Sequence, residues 1–182
     1  MHETDEILYR RFLREEQEED LRILLERHRE GLTLFLFGFV RNMEDAEELM
    51  LDAFAIAASG TSRFSGSSSF KTWLFAIGRN QAMSMLRKNR LRFSSLEEES
   101  AAASDTADLE LLQKERNRQL YDALEQLLPD YRQVLYLLYF EEMSHEEAAR
   151  VMKKTRKQIY NLAARGKKAL RETLEGMGFE NA

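Results

Sequence analysis

The chain has 182 residues, with 27 Lys/Arg against 32 Asp/Glu for a formal charge of −5, one Pro and no Cys. The lack of Cys excludes disulfides, thiolate zinc sites and cysteine nucleophiles. Hydrophobic residues at 43% suffice for packed cores, and abundant Leu, Glu, Arg and Ala with few Gly favour helix nearly throughout, so an all-α chain is expected.

The start, Met1 to Glu6, is acidic and lacks the basic-then-apolar order of a signal peptide. The longest apolar stretch, Leu32 to Val40, is about half the ~20 residues that a membrane helix needs. It reads as buried core, and the chain as a soluble, cytoplasmic protein. Between residues 20 and 58 two helices are expected. Leu21, Leu24, Leu25, His28, Leu32, Phe35, Leu36 and Phe39 form the stripe of the first, and Asn42 breaks the pattern. Asp45 to Ala58 continues as the second, with Ala46, Leu49, Ala53, Phe54 and Ala57 inward and Asp45, Glu48 and Asp52 outward.

Ser59-Gly60-Thr61-Ser62 and Ser65-Gly66-Ser67-Ser68 are loop segments flanking Arg63-Phe64. Ser69 can cap a long helix from Phe70 to about Arg90, with Trp73, Leu74, Ile77, Ala82, Met85 and Leu86 toward its packed side. Aromatics beside cations in and after this loop are what stacking on unpaired bases requires; Trp73 reads as core, and Phe64 fits either role. Residues 94–108 are small, polar and acidic without helical period, which marks a flexible linker between domains at 1–93 and 109–182.

Beyond it, Leu109 to Leu128 is one or two helices, stopped by Pro129, and Tyr131 to Phe140 is a short apolar helix. Ser144-His145-Glu146-Glu147 and Thr155-Arg156-Lys157-Gln158 each have the form of a capping box, spaced as in a helix-turn-helix. From Thr155, the inward positions are Ile159, Leu162, Ala163, Gly166, Ala169 and Leu170. Arg156, Lys157, Tyr160, Asn161, Ala164, Arg165 and Lys168 are left outward, the donor set that a DNA-reading helix needs.

The charge is unevenly placed. Residues 61–93 hold seven Lys/Arg and residues 151–171 hold eight, and neither island contains an acid. Because the local field governs phosphate binding, an acidic chain with two basic islands is a credible DNA binder. His145-Glu146 begins the zinc pattern H-E-x-x-H, but position 149 is Ala, and no Gly-rich phosphate loop or convergent catalytic set occurs. No metal, no cofactor and no enzymatic activity are expected.

Several blocks in order then resemble the extracytoplasmic-function (ECF) subgroup of bacterial RNA polymerase sigma factors. They are Asp45-Ala46-Glu47-Glu48-Leu49, Ala53-Phe54, Arg63-Phe64, Ser69-Phe70-Lys71-Thr72-Trp73-Leu74 and Arg79-Asn80, then Leu127-Leu128-Pro129, Arg132-Gln133-Val134-Leu135, Glu146-Glu147-Ala148-Ala149 and Lys168-Ala169-Leu170. The resemblance implies a helical region 2 domain that binds the polymerase clamp and melts the −10 element. It also implies a helix-turn-helix region 4 domain that reads the −35 element and touches the flap. By position, Asp45, Glu48, Leu49 and Asp52 fall in the clamp-binding helix. Arg63, Phe64, Ser65, Gly66, Ser67 and Ser68, with Asn80, fall where the family captures a flipped −10 base, and Lys71, Arg79, Arg87 and Arg90 would hold the strand. Lys153, Lys154, Thr155, Arg156, Lys157, Tyr160, Asn161, Arg165 and Lys168 would meet the −35 duplex.

Two departures stand out: Leu51 replaces the family's usual Gln, and Lys153-Lys154-Thr155 replaces a Gly-apolar-Ser turn. The implied partners are core polymerase and promoter DNA, with an anti-sigma factor left open. The alternative reading is a stand-alone helix-turn-helix regulator, which uses residues 109–175 alone.

Overall fold

The computed structural model describes residues 3–94 and 115–178, and every regular element among them is helical. Thr4 accepts a hydrogen bond from the Ile7 amide and opens α1 (Asp5–Glu15). The sequence pattern does not announce this helix; its acidic start is the first turn, where negative charge suits the helix dipole. Arg11 donates to the buried Asp20 carboxylate at 2.6 Å, and Asp5 meets His28 at 2.6 Å. These bonds fix α1 to α2 (Glu18–Val40).

Asn42, read as a break, is the cap of α3 (Met43–Ser59), accepting from the Asp45 amide at 2.9 Å. Ser69 caps α4 (Phe70–Ser94) as expected, its hydroxyl oxygen accepting from the Thr72 amide at 3.1 Å. Leu24, Leu32, Leu36, Ala53, Leu74 and Phe75 are buried in this four-helix bundle.

The second bundle contains α5 (Glu115–Glu125), α6 (Pro129–Leu135) with a π-helical turn (Tyr136–Phe140), α7 (His145–Met152) and α8 (Arg156–Gly176). Pro129 does not merely stop a helix. It opens α6, where a missing N–H leaves no hydrogen bond unmade. Both capping boxes form, at Ser144 with Glu147 and at Thr155 with Gln158. The tight turn between α7 and α8 is built without glycine: Lys153 takes the left-handed conformation at φ 53°, and its amide bonds back to the end of α7. Apart from Ser94, the linker expected at 94–108 lies outside the described residues.

The two bundles pack together, α4 against α7 and α2 against α6 with its π turn. Phe35 stacks on Tyr136 with ring centroids 5.9 Å apart, within an apolar core that runs through both. Polar groups frame that contact. Lys71 Nζ lies 2.6 Å from the Glu141 carboxylate and donates to its carbonyl at 2.8 Å. Arg132 donates to the Gly38 carbonyl at 2.6 Å, Tyr136 to the Gly31 carbonyl at 3.0 Å, and Arg41 to the Glu125 carboxylate at 3.0 Å. A Cβ at Gly31 would stand 2.3 Å from Glu141 Oε1, so any larger residue there would push the end of the Glu141 side chain aside.

Candidate nucleic-acid interface

The segment between α3 and α4 is shaped by its own hydroxyls. Ser59 bonds Thr61 and Ser65 bonds Ser67, both at 2.8 Å, and Gly66 turns the chain at φ 74°. That angle lies in the left-handed region that favours glycine. Arg63, Ser65, Gly66 and Ser67 are exposed, while Ser68 is half-buried. Phe64 is the ambiguous aromatic of the sequence, and its place is inward. Its ring meets Tyr9 edge-on at 5.8 Å and lies 5.2 Å from Trp73, within a cluster that includes Phe70. It therefore supports the loop from below, whereas a base-stacking role would need its face free.

Along α4 the expected strand contacts separate into two groups. Asn80, Arg87 and Arg90 are exposed. Lys71 and Arg79 are not available to a ligand in this arrangement. Lys71 is held by Glu141, and Arg79, 9% exposed, donates to Gln133 at 3.0 Å. Burial pulls the Arg79 guanidinium below its usual pKa, with Asp130 opposing that shift.

The second bundle also reaches the loop, because Arg150 donates to the Ser67 carbonyl and Glu147 accepts from Ser69 at 3.3 Å and Thr72 at 3.2 Å. Burial acts to raise the Glu147 pKa, but hydrogen bonds from Ser144, Thr72 and Ser69 outweigh it and hold the carboxyl below the ordinary range. One carboxylate thus serves the N-termini of both α4 and α7. Sequence reading could not foresee it, since Glu147 has full local employment in its own capping box.

On α8, Ile159, Ala163 and Gly166 are buried, Leu162, Ala169 and Leu170 are half-buried, and Arg156, Lys157, Tyr160, Asn161, Arg165 and Lys168 are exposed, the division that the periodicity implies. Lys153 and Thr155 are exposed too, whereas Lys154 is half-buried and pairs with Asp130 at 3.1 Å. Tyr160 is fixed in place: its ring stacks on His145 at 4.0 Å and carries the Arg156 guanidinium 5.6 Å from its centroid. His145, which begins the incomplete zinc pattern, is thus half of an aromatic stack.

The exposed face of α3 is acidic. Glu44, Glu47, Glu48 and Asp52 share it with Leu51, while Asp45 is half-buried. Leu49 is expected inward from the helical period and in the clamp-binding helix from the resemblance. It is 3% exposed and belongs to the core, because it lies on the same side of the helix as Ala46 and Ala53. The apolar group on the outer face is Leu51, 54% exposed.

Among the described residues no three His, Cys, Asp or Glu side chains gather as a metal site, and no helix is long and apolar enough to cross a membrane. The family model of sigma-70 region 2 matches residues 24–92, and that of sigma-70 region 4 matches residues 117–170. The ECF RNA polymerase sigma factor SigX of Bacillus subtilis is 30% identical over 165 residues, covering 87% of this chain and 85% of that protein. The chain belongs to the ECF sigma factors.

The sigma factor CarQ of Myxococcus xanthus is 32% identical over 164 residues, covering 87% of this chain and 91% of CarQ. Two solved structures share the fold: CnrH in complex with the cytosolic domain of CnrY, and the sigma factor RpoE in complex with the anti-sigma factor NepR from Bartonella quintana. Each has a TM-score of 0.71, at 23% and 24% identity, covering 96% and 86% of this chain and 99% and 98% of theirs. As a sigma factor, the protein binds core RNA polymerase and directs it to specific promoters through −10 and −35 recognition. The stand-alone regulator reading fails, since it leaves the region 2 match without a use.

Proposed function

We propose that the protein divides this task by residue as follows, acting in the cytoplasm and without catalysis of its own. Residues 1–93 work as the region 2 unit and 109–182 as the region 4 unit, joined through 94–108. The loop Arg63–Ser68 with Asn80 captures the displaced −10 base, and Lys71, Arg79, Arg87 and Arg90 hold the strand. The outer face of α8 meets the −35 duplex, its first two turns toward base edges and Arg165 and Lys168 toward phosphates. Glu44, Glu47, Glu48, Leu51 and Asp52 on α3 dock on the polymerase clamp.

The observation that carries the reading is the separation of charge by face. Residues 156–171 of α8 and the distal end of α4 expose cations without acids, and α3 exposes acids without cations. Such complementary fields steer partners of opposite sign and repel the wrong ones. Since Lys71 and Arg79 are engaged by Glu141 and Gln133, the −10 strand reaches them once the second bundle leaves α4. Polymerase, which spaces regions 2 and 4 along a promoter, supplies that separation. An anti-sigma factor, as named with the solved RpoE structure, is a further partner of this reading.

The test is to sequence the transcripts that core polymerase makes with and without the protein. Discrete start sites sharing −10 and −35 elements are expected only with it; the same sites from core enzyme alone would refute the reading. The α3 face has its own expected result. Leu51 would bury roughly half of a leucine side chain on the clamp, worth about 1 kcal/mol. Leu51→Gln should therefore weaken binding to core polymerase about fivefold, as read by competition against the wild-type protein, with the thermal midpoint unchanged.

A further inference from the structure

We propose that Arg10, on α1, is a further DNA contact of the −10 site and takes a phosphodiester of the displaced single strand beside Gly66. Nothing in the family match covers it, since the region 2 model begins at residue 24. The inference rests on the −10 reading of the Arg63–Ser68 loop.

Three observations converge on this residue. The first is place. The Arg10 Nη2 atom lies 3.7 Å from where a Cβ on Gly66 would stand, so the guanidinium sits against the tip of the loop. The second is that α1 is bound to the base of the loop and cannot drift from it. Glu6 accepts from the Phe70 amide at 2.9 Å, and the Tyr9 hydroxyl donates to the Ala57 carbonyl at 2.8 Å. Tyr9 also holds Phe64 and Trp73 in one aromatic cluster. Arg10 follows directly after that buried tyrosine, and its backbone is therefore placed by the same contacts that place the loop.

The third is an unused charge. Of the three arginines on α1, Arg11 is committed to Asp20 and Glu3, and Arg14 to Glu15. Arg10 is exposed and has no hydrogen-bond or ion-pair partner among the described residues. Glu6, one turn earlier and the natural partner for an intrahelical pair, turns its carboxylate to the Phe70 amide instead. An unneutralised guanidinium carried on a held helix at the lip of an acid-free loop is matched to a phosphate, which accepts its paired N–H donors. In the closed arrangement Arg150 also reaches the loop, at the Ser67 carbonyl. When the second bundle leaves, Arg10 stays behind with Arg63.

The experiment uses holoenzyme, the full chain with core polymerase, and a fork-junction DNA whose −10 element is single-stranded. Affinity is measured across a range of salt for wild type, Arg10→Ala, Arg10→Lys, Arg14→Ala and Arg63→Ala. Arg10→Ala is expected to bind about fivefold more weakly and to lower the salt slope by roughly 0.7, the share of one single-strand phosphate. Arg10→Lys should recover most of that slope, because a phosphate contact needs the charge. Arg14→Ala and the thermal midpoint of each variant should match wild type.

Wild-type affinity and slope for Arg10→Ala, with Arg63→Ala impaired, overturn the proposal while leaving the loop reading intact. A wild-type result for both variants means that the loop reading itself has failed. A lowered thermal midpoint for Arg10→Ala with an unchanged slope assigns the residue a structural role and likewise overturns the proposal.

Discussion

Exchanging Glu141 for lysine is expected to raise the affinity of the polymerase-free protein for a single-stranded −10 oligonucleotide by about a hundredfold. Glu141 is the hinge of the contact between the bundles. Its carboxylate meets Lys71 at 2.6 Å, its carbonyl accepts from the same ammonium group, and its side chain is 11% exposed. Reversing the charge sets two ammonium groups against each other in a half-buried seam, which costs about 3 kcal/mol, or two powers of ten in the closed fraction. The strand-holding residues Lys71 and Arg79 are then released, along with the loop carbonyl that Arg150 occupies.

The outer face of α8 is exposed in the closed arrangement, so affinity for −35 duplex should change little. Glu142→Lys is the control for added charge. Glu142 is exposed beside Glu141 without touching Lys71, so its exchange should give no more than a fewfold gain. Fluorescence anisotropy with labelled oligonucleotides reads the affinities, and small-angle scattering reads the opening. An opened protein that still ignores the −10 strand would remove Lys71 and Arg79 from the strand-holding set.

What the sequence made legible is local. The caps at Ser69, Ser144 and Thr155 rest on a side chain and amides a few residues away, and all three form. The inward and outward sets of α8 follow from helical period alone, which is why Ile159 and Ala163 are buried and Arg156 and Lys168 are exposed. The rest depended on partners remote in sequence. Phe64 could not be assigned without Tyr9, a partner 55 residues earlier in the chain. Lys71 and Arg79 read as free cations because nothing near them is acidic. Their partners, Glu141 and Gln133, come from the other bundle. Leu49 shows how period and motif differ: a family motif places a residue in a helix, but the local period decides the face, and it puts Leu49 inward and Leu51 outward.

The largest effects on promoter choice are expected from the first two turns of α8. Arg156 and Asn161 are exposed there, and Arg156 is steadied by its bond to the Tyr160 hydroxyl at 3.3 Å and by the ring beneath it. Tyr160 is in turn stacked on His145 of α7, so the guanidinium is presented from a supported position instead of a freely rotating one. Preorganisation of this kind is what bidentate reading of a base edge requires. Arg156→Ala and Asn161→Ala should each relax preference at particular −35 positions by about 1–3 kcal/mol. Lys168 lies three turns beyond Arg156, its side chain 80% exposed and its only pairing among the described residues a 3.8 Å contact with Glu172. Such a surface pair holds the lysine weakly. Lys168→Ala should therefore weaken every −35 sequence alike and lower the salt slope by roughly 0.9, the share of one duplex phosphate. Selection of −35 elements from a random pool by holoenzyme carrying each variant separates these outcomes. Unchanged preferences for both Arg156→Ala and Asn161→Ala would move base reading to Lys157, Tyr160 or Arg165, the other exposed side chains of the same face.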